Sequence, residues 1–407
     1  MNKNAVIYGG GNIGRGFIGQ LFYESGYETV FIDVNKELIT QLNEKKEYPI
    51  KFVDNKSSSE IIIKNVRGID GSSENINEVT DVISKADIMA TSVGVNVLKF
   101  IMEPVAKGIN KRFADGNYKP LNILLCENLI HSDKIMRDGV YEYIDYKFKS
   151  LYNEKIGFIE VSVGRMVPIQ TDDMKAGNPL RIVTENYRHL HVDKDAFKGE
   201  IPEIKDMIAY SPFEYLIERK LYIHNMGHAV CAYLGDMAGY DYIWQAIEDP
   251  YIEMITTKTM QRSALALSKI YHANAAELME FIENLIYRFA NKALGDTVKR
   301  VGNDLKRKLS PNDRLIGVYR ICAQNSLPVN YICLAIAAAV NFKGDKFSGY
   351  SADGILKEAG SYNIIAENSN DFALITKYDK AIKSGLSAKG LLDIVKDDEN
   401  IINSDIM

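Results

Sequence analysis

The chain has 407 residues, 46% hydrophobic and 25% charged, close to the average of soluble globular proteins, which excludes a disordered, collagenous or low-complexity chain. Two domains are the natural expectation at that length. Against 49 basic residues stand 54 acidic ones, a net charge of -5 that repels polyanions and argues against nucleic acid as a partner.

The N-terminus, Met1-Asn2-Lys3-Asn4, runs straight into a β-rich stretch with no signal-peptide architecture. From there the first half alternates short β-rich runs with helical stretches, the pattern of a parallel sheet covered by helices. Strands are expected at Ala5 to Tyr8, Thr29 to Asp33, Ile88 to Ser92, Ile123 to Cys126 and Phe158 to Val163. Between the first two, Ile13, Phe17, Ile18, Leu21 and Phe22 recur at helical spacing, and Gly26 stands where that helix must stop.

The turn after the first strand reads Gly9-Gly10-Gly11-Asn12-Ile13-Gly14, which satisfies G-x-G-x-x-G through Gly9, Gly11 and Gly14. The three glycines serve a tight turn, close approach of backbone to a pyrophosphate, and close packing of helix on strand. The helix N-terminus, opened by Asn12 and Ile13, then faces the phosphates. Asp33 ends the second strand 19 residues after Gly14, where a carboxylate accepts from the ribose hydroxyls and repels the extra phosphate of NADP. NAD is therefore the expected cofactor, although FAD shares the glycine pattern and Lys36 could meet a 2′-phosphate. Later strand ends should line the same crevice. Ser92-Val93-Gly94 and Glu127-Asn128 are the candidates, with Glu127 on the substrate side.

Mixed strand and turn character runs from Asn178 to about Glu203, after which the periodicity is almost entirely helical. The expected division is an NAD-binding Rossmann-type α/β domain over 1–206 and a mostly α-helical catalytic and substrate domain over 207–407. Helices are expected in 213–236, 240–247, 251–271, 275–292, 311–325 and 329–342. The last of these, Val329 to Phe342, falls short of the roughly 18 to 20 residues that cross a bilayer and reads as a buried helix. Four cysteines, Cys126, Cys231, Cys322 and Cys333, include no Cys-x-x-Cys pair, so reduced thiols in a soluble cytoplasmic protein are expected.

The run Glu218 to His228 carries the chemistry of the second half. On an α-helix Lys220, Asn225 and His228 fall at about 0°, 140° and 80°, one broad polar face, with Lys220 roughly 12 Å back along the axis from His228. Oxidising an alcohol needs a base for the hydroxyl proton as hydride leaves. A lysine serves when burial or a neighbouring cation draws its pKa from about 10.4 towards 7–8. Asn225 and His228 would donate to the oxygen as negative charge develops. His224 and His228 are four apart, a zinc spacing, but no third ligand follows, so no metal is expected.

Taken together these residues resemble the polyol-specific long-chain dehydrogenase (mannitol dehydrogenase) family. The resemblance runs through Gly11-Asn12-Ile13-Gly14-Arg15-Gly16-Phe17-Ile18-Gly19 and Cys126-Glu127-Asn128. It continues in the K-x4-N-x2-H signature of Lys220, Asn225 and His228, then in Arg300-Val301-Gly302, Arg307-Lys308-Leu309-Ser310 and Asp313-Arg314-Leu315. It implies NAD-linked, metal-independent interconversion of a ketose phosphate and a hexitol phosphate, such as fructose 6-phosphate and mannitol 1-phosphate, with the lysine as acid and base. It also gives Arg165, Arg300, Arg307 and Lys308 a place in substrate binding, since guanidinium and ammonium groups suit a phosphate.

Two positions depart from the family. Asn303 stands where relatives carry Arg after Arg-Val-Gly, with Asp304 following, and Gly164 stands where they carry Asp before Arg165-Met166-Val167-Pro168. The departures leave the dehydrogenase reading in place and open the substrate to another polyol phosphate, a free polyol or a hexuronate of the tagaturonate or fructuronate type; an NAD-binding protein without turnover is a separate alternative. A β-hydroxyacid dehydrogenase shares the plan but fits the lysine-to-asparagine spacing less well.

Overall fold

The computed structural model describes residues 3–129, 131–344, 351–366 and 369–406. The chain divides into two compact units, Met1–Leu216 and Ile217–Met407.

In the first unit, β1 (Lys3–Tyr8), β2 (Tyr27–Asp33), β5 (Val66–Asp70), β6 (Ile88–Thr91), β7 (Leu121–Leu125) and β8 (Ile156–Val163) pair in parallel. Between β2 and β5 lie β3 (Glu47–Val53) and β4 (Ser58–Lys64), and β9 (Ile182–Thr184), β10 (Leu190–Asp193) and β11 (Met207–Tyr210) follow β8. The large sheet has the order β11-β10-β8-β7-β6-β1-β2-β5. Its strands are apolar on both faces because helices cover both, as the two core clusters around Val6, Val30 and Met89 and around Ala5, Ile7 and Phe31 show. From β1 the chain goes one way to β2 and β5 and the other way to β6, β7 and β8. The strand order therefore reverses between β1 and β6, the point at whose carboxyl ends such sheets bind ligands.

All five expected strands are present. The others were not foreseen, and each has a local reason. The β3–β4 hairpin carries Pro49 and a solvated outer face, and Pro49 sits just outside the stretch Ile50 to Phe52 that pairs with β9. The last strand, β11, lies beyond the expected boundary at 206. It pairs with β10 and so belongs to the first unit's sheet, which moves the division to 216.

The second unit is helical. Its hub, Met226–Ala238, is buried on nearly every side, and Pro250–Tyr271, Ala275–Phe289, Ile316–Gln324, Asn330–Val340, Ser369–Lys383 and Ala388–Ile406 pack in the same unit. Every residue of Asn330–Val340 is buried, as its apolar sequence demands. Among the described residues no helix is long and apolar enough to cross a membrane. All four cysteines are buried, and none forms a disulfide.

Candidate active site

The glycine turn is built from its tightest contacts outward. Gly9 holds φ at +102°, and a Cβ there would lie 2.5 Å from the Ser92 carbonyl oxygen; at Gly14 it would lie 2.1 Å from Gly9 O. Neither position accepts a side chain. Gly11 is different, because an added Cβ meets nothing within 4 Å, leaving an open side where a pyrophosphate can approach the backbone. Asp33 braces the turn, its Oδ2 accepting from Gly10 N at 2.7 Å and its Oδ1 from Asn35 N at 2.9 Å. Each carboxylate oxygen keeps a second lone pair for a ribose hydroxyl. Lys36 pairs with Asp70 at 3.8 Å. Asn12 directs its amide to Pro168 O and Ile13 packs on the core, so what they offer a phosphate is the N–H groups that open the helix. Arg15, given no role by the sequence beyond its place in the family-like run, donates from Nε to Gly10 O at 2.6 Å and from Nη1 to Leu180 O at 2.6 Å, fixing the turn to the rest of the unit. These residues fit a dinucleotide.

At the end of β6, the Ser92 hydroxyl donates to Gly9 O at 2.8 Å, and Gly94 turns with φ at +88°. Glu127 holds this loop: Thr91 Oγ1 donates to Oε2 at 2.6 Å and Val93 N to Oε1 at 2.9 Å. It is 7% exposed, and burial lifts its carboxyl above the usual range against the pull of those bonds. In the structure Glu127 clamps the Ser92-Val93-Gly94 loop. Its neighbour Asn128 is exposed.

Arg165 is likewise held within the first unit. It is 4% exposed and donates to Tyr187 O, Gly16 O and the Gln20 side chain, with its guanidinium 4.3 Å from the Phe17 ring. It is a strut inside the first unit. At Gly164 a Cβ would lie 2.8 Å from the Tyr187 ring, so Tyr187 fills the space that a family aspartate would need.

In the second unit, Lys220 to Asn225 form a π-helical turn between the α-helices Glu214–Arg219 and Met226–Ala238. The expected α-helical angles do not apply there. A π turn bonds i to i+5, which stacks Lys220 with Asn225, five residues on, instead of setting them about 140° apart. Lys220, Asn225 and His228 are all half-buried. Phe289 stacks on the His228 ring at 4.8 Å and 12°, and His228 Nε2 lies 3.3 Å from Asp296 Oδ2. His224, four residues before His228, is 6% exposed; burial, with the charges of Arg288, His228, Lys220 and Arg314, holds it neutral.

The basic segment divides. Arg300 pairs with Asp296, Lys306 with Glu358, and Arg307 with both Asp304 and Asp313. Asp304 thus does lower the local positive charge. Lys308 and Arg314 are instead buried, at 4% and 8% exposure, and Lys308 Nζ donates to Val301 O. Asp296, Phe289 and Arg314 carry no motif that sequence reading could assign to the site, apart from Arg314 standing in a family-like Asp-Arg-Leu. One group of side chains able to ligate a metal occurs among the described residues, His131, Asp133 and Glu160. There Glu160 accepts from Ser132 N at 2.9 Å and Asp133 pairs with Arg137.

Comparison with known proteins bears on both units. The mannitol dehydrogenase Rossmann domain matches residues 3–206 and the mannitol dehydrogenase C-terminal domain residues 212–377. A mannitol-1-phosphate 5-dehydrogenase of Thermoanaerobacter pseudethanolicus is 39% identical over 339 residues, 83% of this chain and 85% of the relative. Among solved structures, mannitol 2-dehydrogenase of Pseudomonas fluorescens in a ternary complex with NAD and D-mannitol aligns with a TM-score of 0.74 at 12% identity, over 98% of this chain and 95% of that one. A substrate-free D-sorbitol dehydrogenase gives 0.80 at 15% identity, over 96% and 94%. At these identities the two structures speak for the fold alone.

Proposed function

The chain belongs to the mannitol dehydrogenase family, as a polyol dehydrogenase, and from that premise we propose that it interconverts D-mannitol 1-phosphate and D-fructose 6-phosphate with NAD. The observation that carries the reading is the π-helical turn joining Lys220 and Asn225, with His228 three residues on. The substrate follows the relative from Thermoanaerobacter pseudethanolicus, whose name gives mannitol 1-phosphate as the compound it dehydrogenates.

In this reading the first unit holds NAD by the open side of Gly11, the N–H groups after it and Asp33, with the loop Ser92-Val93-Gly94 and Asn128 at neighbouring strand ends. Bound NAD supplies the hydride acceptor. In the oxidative direction Lys220 takes the hydroxyl proton, and in the reductive direction it returns it. Asn225 donates from its amide to the oxygen as charge develops. Neutral His224 adds no positive charge beside Lys220. Lys308 and Arg314 are the cations best suited to a buried phosphate, with Arg300 and Arg307 at the exposed side already engaged by carboxylates.

A second reading, a reductase of an unphosphorylated sugar or hexuronate, draws on Gly164, Asn303 and those engaged arginines. The test is initial rates with fructose 6-phosphate, fructose and tagaturonate, each with NADH and NADPH. The first reading expects NADH with fructose 6-phosphate to lead by at least about 100-fold, and Lys220→Ala to lose most of that rate while melting normally. Equal rates with fructose would remove the phosphate from the reading, and an unimpaired Lys220→Ala would remove the lysine.

A further inference from the structure

We propose that Asp296 is the positioning residue for His228: its carboxylate holds one imidazole nitrogen and the Arg300 guanidinium together, so that the ring's other nitrogen is the one presented to substrate. The inference rests on the reading of Lys220, Asn225 and His228 as the catalytic set.

The geometry is local and tightly braced. Asp296 Oδ2 meets His228 Nε2 at 3.3 Å, while Oδ1 accepts from Arg300 Nε at 2.7 Å. The backbone around it is fixed, since Asp296 O accepts from Ile243 N at 2.9 Å and Thr297 caps the helix Val298–Gly302 through Arg300 N. Phe289 lies nearly parallel to the His228 ring, which fixes the ring's plane. Stacking alone does not choose between the two ring orientations related by a half-turn about Cβ–Cγ, because both keep the ring in the same plane against Phe289. The carboxylate makes that choice.

An ionised carboxylate only accepts, so Nε2 carries the proton, and on the neutral ring Nδ1 is then the sole lone pair. Burial raises the Asp296 carboxyl, but His228 and Arg300 outweigh it and hold the group below the usual range, so the acceptor is ionised. His228 therefore meets a substrate hydroxyl as an acceptor when neutral, and donates to the oxygen only when Nδ1 is protonated as well. That revises the simpler expectation that His228 donates throughout.

The experiment is a double-mutant cycle on fructose 6-phosphate reduction, with His228→Ala, Asp296→Asn and the pair, reading kcat and both KM values. Asp296→Asn keeps the shape and replaces one acceptor oxygen by a donor. Each single variant should lower kcat by about ten-fold or more with the KM for NADH within about two-fold, and the double should be no slower than His228→Ala alone. Asp296→Glu should recover part of the loss, and it carries the same cycle should Asp296→Asn melt early. In ¹⁵N spectra of histidine-labelled protein, the Nε2–H tautomer of His228 should give way in Asp296→Asn. Wild-type kcat in Asp296→Asn beside an impaired His228→Ala overturns the proposal alone. So do losses that multiply in the double variant, because Asp296 would then act apart from His228. Wild-type kcat in His228→Ala overturns the proposal together with the catalytic reading.

Discussion

Lys308 keeps its ammonium-bearing side chain 4% exposed, donating to the Val301 carbonyl, with Arg314 and Arg307 nearby. Burial first and those two guanidinium groups second push it down to about 7. The folded state thus binds fewer protons than the unfolded chain between about pH 7 and 10.5, and stability contributed at this position rises with pH across that window. Replacing Lys308 with Met should therefore stabilise the protein at pH 7 by on the order of 2 kcal/mol or more, and the gain should shrink towards pH 10. Urea unfolding of both proteins at pH 7, 8.5 and 10 checks this, and a gain independent of pH would refute it. The same variant should lose affinity for fructose 6-phosphate, since a buried cation is suited to the anion of a ligand. Lys308 was legible as a substrate candidate because it lies in a basic run. Burial was not legible there, and burial is what separates it from Arg307, four-tenths or more exposed and tied to Asp304 and Asp313. Glu127 and Arg165 show the opposite case. Their residue types suit a site, but Thr91, Val93, Gly16 and Tyr187 claim them, and those partners are distant in sequence or backbone atoms that no side-chain pattern announces.

At the scale of elements, the glycine-rich turn was legible as a tight strand-to-helix turn, because its constraint is local. Gly14 has no room for a side chain and Gly11 has ample room, which separates folding from binding. Gly14→Ala should destabilise the protein by about 1–3 kcal/mol. Gly11→Ala should melt within about 0.5 kcal/mol of wild type yet weaken NADH binding about ten-fold or more, because its methyl enters the phosphate's approach. Thermal melts and NADH fluorescence titrations check the pair; if Gly11→Ala binds NADH normally, the open side of the turn is not where the pyrophosphate lies. The lysine helix was legible as a helix and as a polar face, but its π-helical turn was not. Hydrophobic periodicity averages over several turns, and one residue of slippage within Lys220 to Asn225 leaves that average almost unchanged.

Across the whole molecule, the change from alternating strands and helices to helices alone was visible in the periodicity, and the position of the change was set by β11, a four-residue strand too short to announce itself. The second unit extends past residue 377, where the match to the family's C-terminal domain ends. The closing helix Ala388–Ile406 is nonetheless built in. Leu391 and Val395 are fully buried, and Asp398 accepts from the Tyr378 hydroxyl at 2.9 Å and from Lys377 Nζ at 2.6 Å. Arg262 pairs with Glu399 across the same contact. Ending the chain after residue 387 would expose those apolar positions' partners and leave Tyr378 without its acceptor. The truncated protein should lose about 5 kcal/mol or more and melt well below the full chain, and calorimetry that shows equal melting would mean the helix is an ornament.

The π-helical turn has one more consequence, and it concerns excision. Such a turn is an α-helix that has absorbed an extra residue. Cutting one residue from Tyr222-Ile223 would heal the helix to a regular one in which Asn225 follows Lys220 by four places and His228 by seven, the spacing of a single face. The hub helix would keep its phase, with Val230, Cys231, Tyr233 and Leu234 still turned to the core they fill. The extra residue therefore widens the turn between Lys220 and Asn225 without changing the phase of the hub helix.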